Sequence, residues 1–110
     1  MNIIEYTTAG GKNLIQEYLS SLETSDQLEA INIRRKIIVD GHTALRDLNT
    51  RQLKGKLWEI KFSQNRIMYV IQHGETIYFL HACKKQKGKA EKLDLDKAIK
   101  RAKEYGLRVD

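Results

Sequence analysis

The sequence predicts an α+β fold: an antiparallel β-sheet, formed by a meander plus an N-terminal strand, with an N-terminal helix hairpin packed on it and a C-terminal helix. Three observations carry this. Apolar residues recur every three to four positions in two early stretches, residues 12–22 and 27–39. Between Lys56 and Cys83 the pattern changes to alternation interrupted by the turn sequences "SQN" and "HGE". After Gly88 the helical period returns. A chain of 110 residues has the length of one domain, and we expect a single domain over 1–110.

Asn2–Tyr6 reads as a first strand, ended by the turn chemistry of "TTAGGK". From Lys12 to Leu22 the residues Leu14, Ile15, Tyr18, Leu19 and Leu22 form one helical stripe. Thr24 with Gln27 three residues on is a capping-box signal for a second helix. That helix is expected to bury Leu28, Ile31 and Ile38 beside Ala30, Ile33 and Ile37, and to stop at Gly41. In "KLWEIKF", Trp58, Ile60 and Phe62 alternate with Leu57, Glu59 and Lys61, which gives one buried and one polar face. Arg66–Gln72 and Thr76–Cys83 are apolar on both faces, as interior strands are. "KKQKGKAEK" reads as a mobile basic loop. The last helix carries Leu95, Ala98, Ile99, Ala102 and Tyr105 on one face, with Asp94 as N-cap and Gly106 as its terminating glycine. The closing "LRV" reads as a short extra strand.

The net charge of +6 is unevenly distributed. Residues 1–45 hold four Lys/Arg against six Asp/Glu, and residues 46–110 hold sixteen against eight. The second part is therefore formally +8, which suits a polyanionic partner. The lone Cys83 allows no intrachain disulfide, in keeping with a reducing cytoplasm, and sits in an apolar strand as a packed thiol. No CxxC or HExxH spacing marks a metal site. "MNIIEYTTAGG" has no basic start followed by an apolar stretch, and no apolar run reaches roughly 18–20 residues, so neither a signal peptide nor a membrane span is expected.

Strand geometry alone assembles a candidate site. Glu59 and Lys61 share a face, Arg66 opens the next strand, and Lys84 and Lys85 end the strand that returns beside it. Metal-free RNA cleavage needs a base for the 2′-OH, a cation for the charge growing on phosphorus, and a proton for the leaving oxygen. Glu59 or a lysine among crowded cations suits the first task. Arg66, with its planar fork, suits the second. His81 fits two readings, a proton donor or a core histidine satisfied by hydrogen bonds. Glu59 likewise fits a salt bridge to Lys61 or Arg66. Arg46, Arg51, Lys54, Lys56, Lys87 and Lys89 are the surrounding cations expected to hold RNA.

"GKLWEIKF", "NRIMYV", "LHACKK" and the later Ala98, Arg101 and Tyr105 occur in the order and spacing of a known family. Over Leu53–Tyr105 the chain resembles the RelE/ParE superfamily of type II toxin–antitoxin toxins, and more closely its HigB-like, phage-derived branch. Cys83 stands where an aromatic is common. The proline that often follows the Lys-rich loop and the C-terminal His-Tyr pair of some branches are missing. The resemblance implies a RelE-like fold and a ribosome-dependent mRNA endonuclease that inhibits translation in the cytoplasm. It further implies no metal or other cofactor, and a cognate antitoxin of HigA-like helix-turn-helix type as partner. By position, Arg66 matches the family's phosphate-stabilising arginine and Lys84 and Lys85 its basic strand end. The alternative is a non-catalytic nucleic-acid-binding or gyrase-targeting toxin of the same fold.

Overall fold

A computed structural model describes residues 1–110. Along the chain run β1 (Asn2–Glu5), α1 (Leu14–Ser20), α2 (Thr24–Asp40), α3 (His42–Asp47), β2 (Thr50–Lys54), β3 (Leu57–Phe62), β4 (Asn65–Gln72), β5 (Thr76–Lys84) and α4 (Lys89–Glu104). The strands form one sheet in the order β1-β5-β4-β3-β2. All neighbours are antiparallel except β1, which lies parallel to β5. This is the expected α+β class, and the expected meander is extended by one edge strand.

The alternation in β3 sets which side of the sheet meets which helix. Ile60 and Phe62 join Ile67, Tyr69, Ile77 and Phe79 in a core roofed by α1, α2 and α3. Leu57, on the other face, joins Met68, Val70, Leu80 and Cys83 in a second core closed by Ala98 and Ala102 of α4. The face expected to be open and polar is therefore covered, and the molecule has three layers rather than two. In β5 the alternation breaks at a register shift opposite Met68 and Tyr69. Leu80 and His81 then both turn toward α4, which is the usual consequence of one extra residue in a ladder.

Several local expectations are corrected. α1 is capped by Asn13, whose side chain accepts from the Gln16 N–H at 2.9 Å. The Thr24–Gln27 capping box does not form, because Gln27 instead donates to the carbonyls of Ser20 and Leu22 and ties α2 to the end of α1. α2 buries Ala30, Ile33 and Ile37, whereas Leu28, Ile31 and Ile38 lie on its solvent side. The helix is apolar on two sides and has only one sheet to lie on. "LRV" is no strand. Leu107 and Val109 pack in the second core, and the Val109 carbonyl accepts from the Lys56 N–H across the β2–β3 turn. That turn needs Gly55, since a Cβ there would collide with the Val109 carbonyl, and its φ is +53°.

Finally, α4 begins at Lys89, not at an Asp94 cap. The last four residues of the stretch expected to be a mobile loop, Lys89–Lys92, are thus helical. Asp94 sits one and a half turns inside the helix and points into the protein.

Candidate functional site

Four registered strands lay out the site beneath the first turns of α4. One row across the sheet is Lys61–Arg66–Cys83, and the next is Arg51–Glu59–Met68–His81. Glu59 is 0% exposed and Arg66 4%. Their pairing is therefore not an exposed surface contact. Arg66 Nη1 lies 3.5 Å from Glu59 Oε1 and 3.6 Å from Glu91 Oε2 of α4. Arg51 Nε lies 3.0 Å from Glu59 Oε2, and its Nη2 is 3.7 Å from Glu91 Oε1. Two guanidiniums and two carboxylates close a ring of zero formal charge.

That ring is electrostatically paired but short of hydrogen bonds. Neither carboxylate oxygen of Glu59 receives an aligned donor, and Arg66 Nε has no acceptor. The 3.0 Å approach of Arg51 is an ion contact without hydrogen-bond alignment. A buried donor left unpaired costs about 1–3 kcal/mol, a cost that an incoming anionic oxygen would relieve. Such an oxygen has a place to stand: Arg51, Gln52, Leu53, Arg66, Met68, Glu91 and Leu95 line a groove of about 200 Å³ between β2, β4 and α4.

The remaining expected residues divide. Lys61 is half-buried and in register with Arg66, so it stands at the rim of the same face. Lys85 is exposed two residues beyond Cys83, and its N–H donates to the Gln64 carbonyl beside the same hairpin. Lys84 is not brought to this cluster. It is in register with Asn65, whose side chain bonds Tyr18 of α1 and Asp26 of α2 on the opposite face. Arg46 of α3 and Lys56 line another groove on that opposite face. Lys54, Lys87 and Lys89 are exposed, the last two flanking Gly88 where α4 begins. Sequence reading missed Glu91, because its stretch read as loop. It also did not pair Arg51 with Glu59, because the edge strand "TRQLK" lacks apolar alternation.

His81 takes the core reading. Arg101 Nη1 approaches His81 Nδ1 at 3.0 Å, and a guanidinium can only donate. Nδ1 therefore accepts, and Nε2 carries the hydrogen donated to Asp94 Oδ1 at 2.7 Å. Both ring nitrogens are occupied beneath α4, which corrects the expectation of a proton donor. Burial lowers its pKa below 6.5, against the hydrogen bond to Asp94 and with the help of Arg101. His81, Cys83 and Asp94 bring their ligand atoms within 4.8 Å of one another. A metal on Nε2 would need the hydrogen on Nδ1, where Arg101 already donates, so the trio does not suit one. Burial pushes the Cys83 thiol up to about 12, the behaviour of an inert packed residue.

The His81 environment carries a stability prediction. A folded-state pKa below the unfolded value means that the unfolded chain binds more protons as the pH drops through 6.5. The stability associated with neutral His81 is present above pH 6.5 and is lost as pH falls toward the folded pKa. His81→Gln can still accept from Arg101 and donate to Asp94. Melting at pH 7.5 and 5.5 should show a smaller acid-induced drop for this variant than for the parent. Equal drops would mean that His81 titrates as freely folded as unfolded.

A family model described as phage-derived protein Gp49-like (DUF891) matches residues 17–103, most of the chain, including the meander, the Arg66 face and nearly all of α4. The chain belongs to the phage-derived Gp49-like family. This is a RelE/ParE-like toxin family of toxin–antitoxin systems. Membership makes the chain a toxin-type protein and implies an antitoxin partner. No curated protein matches the sequence. The Gp49-like fold seen here is compatible with RelE-like architecture, and none of its helices is long and apolar enough to cross a membrane.

Proposed function

We propose that this Gp49-like toxin is a ribosome-dependent mRNA endonuclease of the HigB-like branch, with a HigA-like antitoxin as its natural inhibitor. The observation that carries the reading is the buried Arg66 guanidinium. It has an unpartnered Nε donor, borders a groove, and is flanked by Lys61 and Lys85. In this reading Arg66 donates to the non-bridging oxygens as the 2′-OH attacks phosphorus. Donors already aimed at the developing charge are the most powerful means of lowering the barrier that a metal-free site has. Glu59 sets the position of Arg66 and is the carboxylate candidate for taking the 2′-OH proton. Lys61 and Lys85 hold the flanking phosphates and supply the proton-donor candidates, since His81 is engaged elsewhere. Arg51, Lys54, Lys87 and Lys89 form the basic surround that brings RNA and ribosome to this edge.

Primer extension on mRNA after pulsed expression tests the reading. Discrete new 5′ ends inside translated frames, absent when translation initiation is blocked, are expected. Growth arrest without new ends would instead favour a gyrase-targeting or purely binding toxin.

A further inference from the structure

The opposite face of the sheet holds a broad concavity, and the proposed cleavage chemistry does not use it. It is a groove of about 810 Å³, walled by His42, Leu45 and Arg46 of α3 and floored by Trp58 of β3 with Tyr69 of β4. Lys56 stands on its rim. Trp58 shares its face with Ile60 and Phe62, which are buried, yet it is itself 37% exposed. The reason is positional. α3 is only six residues long and ends at Asp47, so no helix reaches across to cover the β2–β3 corner.

The geometry points to this groove as an accessory single-stranded RNA site, in which one base stacks on Trp58 and its flanking phosphates meet Arg46 and Lys56. Charge favours that occupant. Neither Arg46 nor Lys56 makes an ion pair, and no carboxylate lines the groove. An exposed indole between two unpaired cations is the combination that holds single strands, because every base has a π-face and every link a phosphate. His42 is not a third contact, since its Nε2 is held 2.6 Å from the Gly74 carbonyl. The groove also lies on a path from the first site. β2 contributes Thr50 to this groove and Arg51, Gln52 and Leu53 to the Arg66 groove. An RNA strand leaving Arg66 therefore meets Trp58 by rounding the β2 edge, past the exposed Lys54. The inference rests on the reading of the chain as a toxin that acts on RNA, but concerns binding rather than cleavage.

Trp58 is the only tryptophan in the chain, so its emission reports on this groove alone. The probe is a 2′-O-methyl hexaribonucleotide, which cannot be cut by 2′-OH attack. Saturable quenching is expected, weakened several-fold by Arg46→Gln or Lys56→Gln, with a salt slope shallower by about 0.7 for each. With a fluorescein-labelled copy of the probe, Trp58→Ala should weaken binding about 5- to 150-fold and Trp58→Phe much less. The Phe variant, with a parental melting curve, separates lost stacking from lost folding. Quenching by an abasic hexamer equal to that by the full probe would overturn the inference. So would antitoxin quenching Trp58 where the hexamer does not, which makes the groove a protein interface. If Arg66→Ala abolishes cleavage while the hexamer leaves Trp58 emission unchanged, the stacking site fails and the nuclease reading stands. Quenching with cleavage intact in Arg66→Ala is the reverse outcome.

Discussion

Replacing Arg66 with alanine is expected to lower ribosome-dependent mRNA cleavage by roughly 10²–10³-fold, the usual loss for one preorganised donor to a developing charge. The size follows from where the guanidinium sits. It is 4% exposed, so its field is little screened, and its Nε is unengaged, so it meets phosphate without first breaking a hydrogen bond. Arg66→Lys keeps the charge but loses the two-pronged donor, and should recover only a minor part of the rate. Ribosome binding should persist in both variants, because the exposed cations around the site remain. Lys87→Ala removes one of several exposed cations of the basic surround, and should weaken ribosome binding only slightly while leaving cleavage of bound mRNA at the parental rate. The assay is cleavage of a defined mRNA on purified ribosomes, with a melting curve for each variant. Parental cleavage by a folded Arg66→Ala protein would remove Arg66 from the chemistry. Parallel, modest losses from Arg66→Ala and Lys87→Ala would reduce the strand face to a charged platform.

What was legible in the sequence, and what was not, divides along physical lines. The β3 register was legible, because Trp58-Ile60-Phe62 against Leu57-Glu59-Lys61 is an unambiguous period of two. The apposition of Arg66 with Glu59 and Lys61 followed from the hairpin turn alone. The covering of that face by α4 was not legible. "KKQKGKAEK" is as charged as a solvated loop, and the helix that begins within it is held by contacts distant in sequence, including Glu91 to Arg66 and Asp94 to His81. Tertiary partners of this kind override local pattern. β2 was hidden because an edge strand with polar side chains shows no alternation. The outward turn of Leu28, Ile31 and Ile38 was hidden for the opposite reason: a helix with apolar residues on two sides does not announce which stripe is the inner one. Alternation from Cys83 does place His81 on the right face, since the β5 bulge falls between Phe79 and His81, but its partners Asp94 and Arg101 come from the α4 cover that was not legible.

The other large effect concerns Glu59, whose loss is expected to destabilise the protein by about 3–5 kcal/mol, the range for removing one partner of a buried ion pair. Glu59→Ala leaves Arg66 facing only Glu91, and leaves Arg51 without its nearest carboxylate. For a chain of this size that corresponds to a fall in Tm of very roughly 10–25 °C. Glu91→Ala makes the informative contrast. Glu91 contacts the same two arginines, but its side chain is 38% exposed and its distances are longer, so water replaces it at a cost under about 1 kcal/mol. Pairing Glu59→Ala with Arg66→Met removes the stranded charge and fills part of the vacated space with an apolar chain. This should return much of the lost stability while leaving cleavage abolished. That double variant separates the two roles of the ring, since stability then depends on charge balance and cleavage on Arg66 itself. If Glu59→Ala melts within a few degrees of the parent, or if Arg66→Met adds its own loss to that of Glu59→Ala, the two residues are not energetically coupled. Glu59 would then lose its place as the residue that holds Arg66 at the groove.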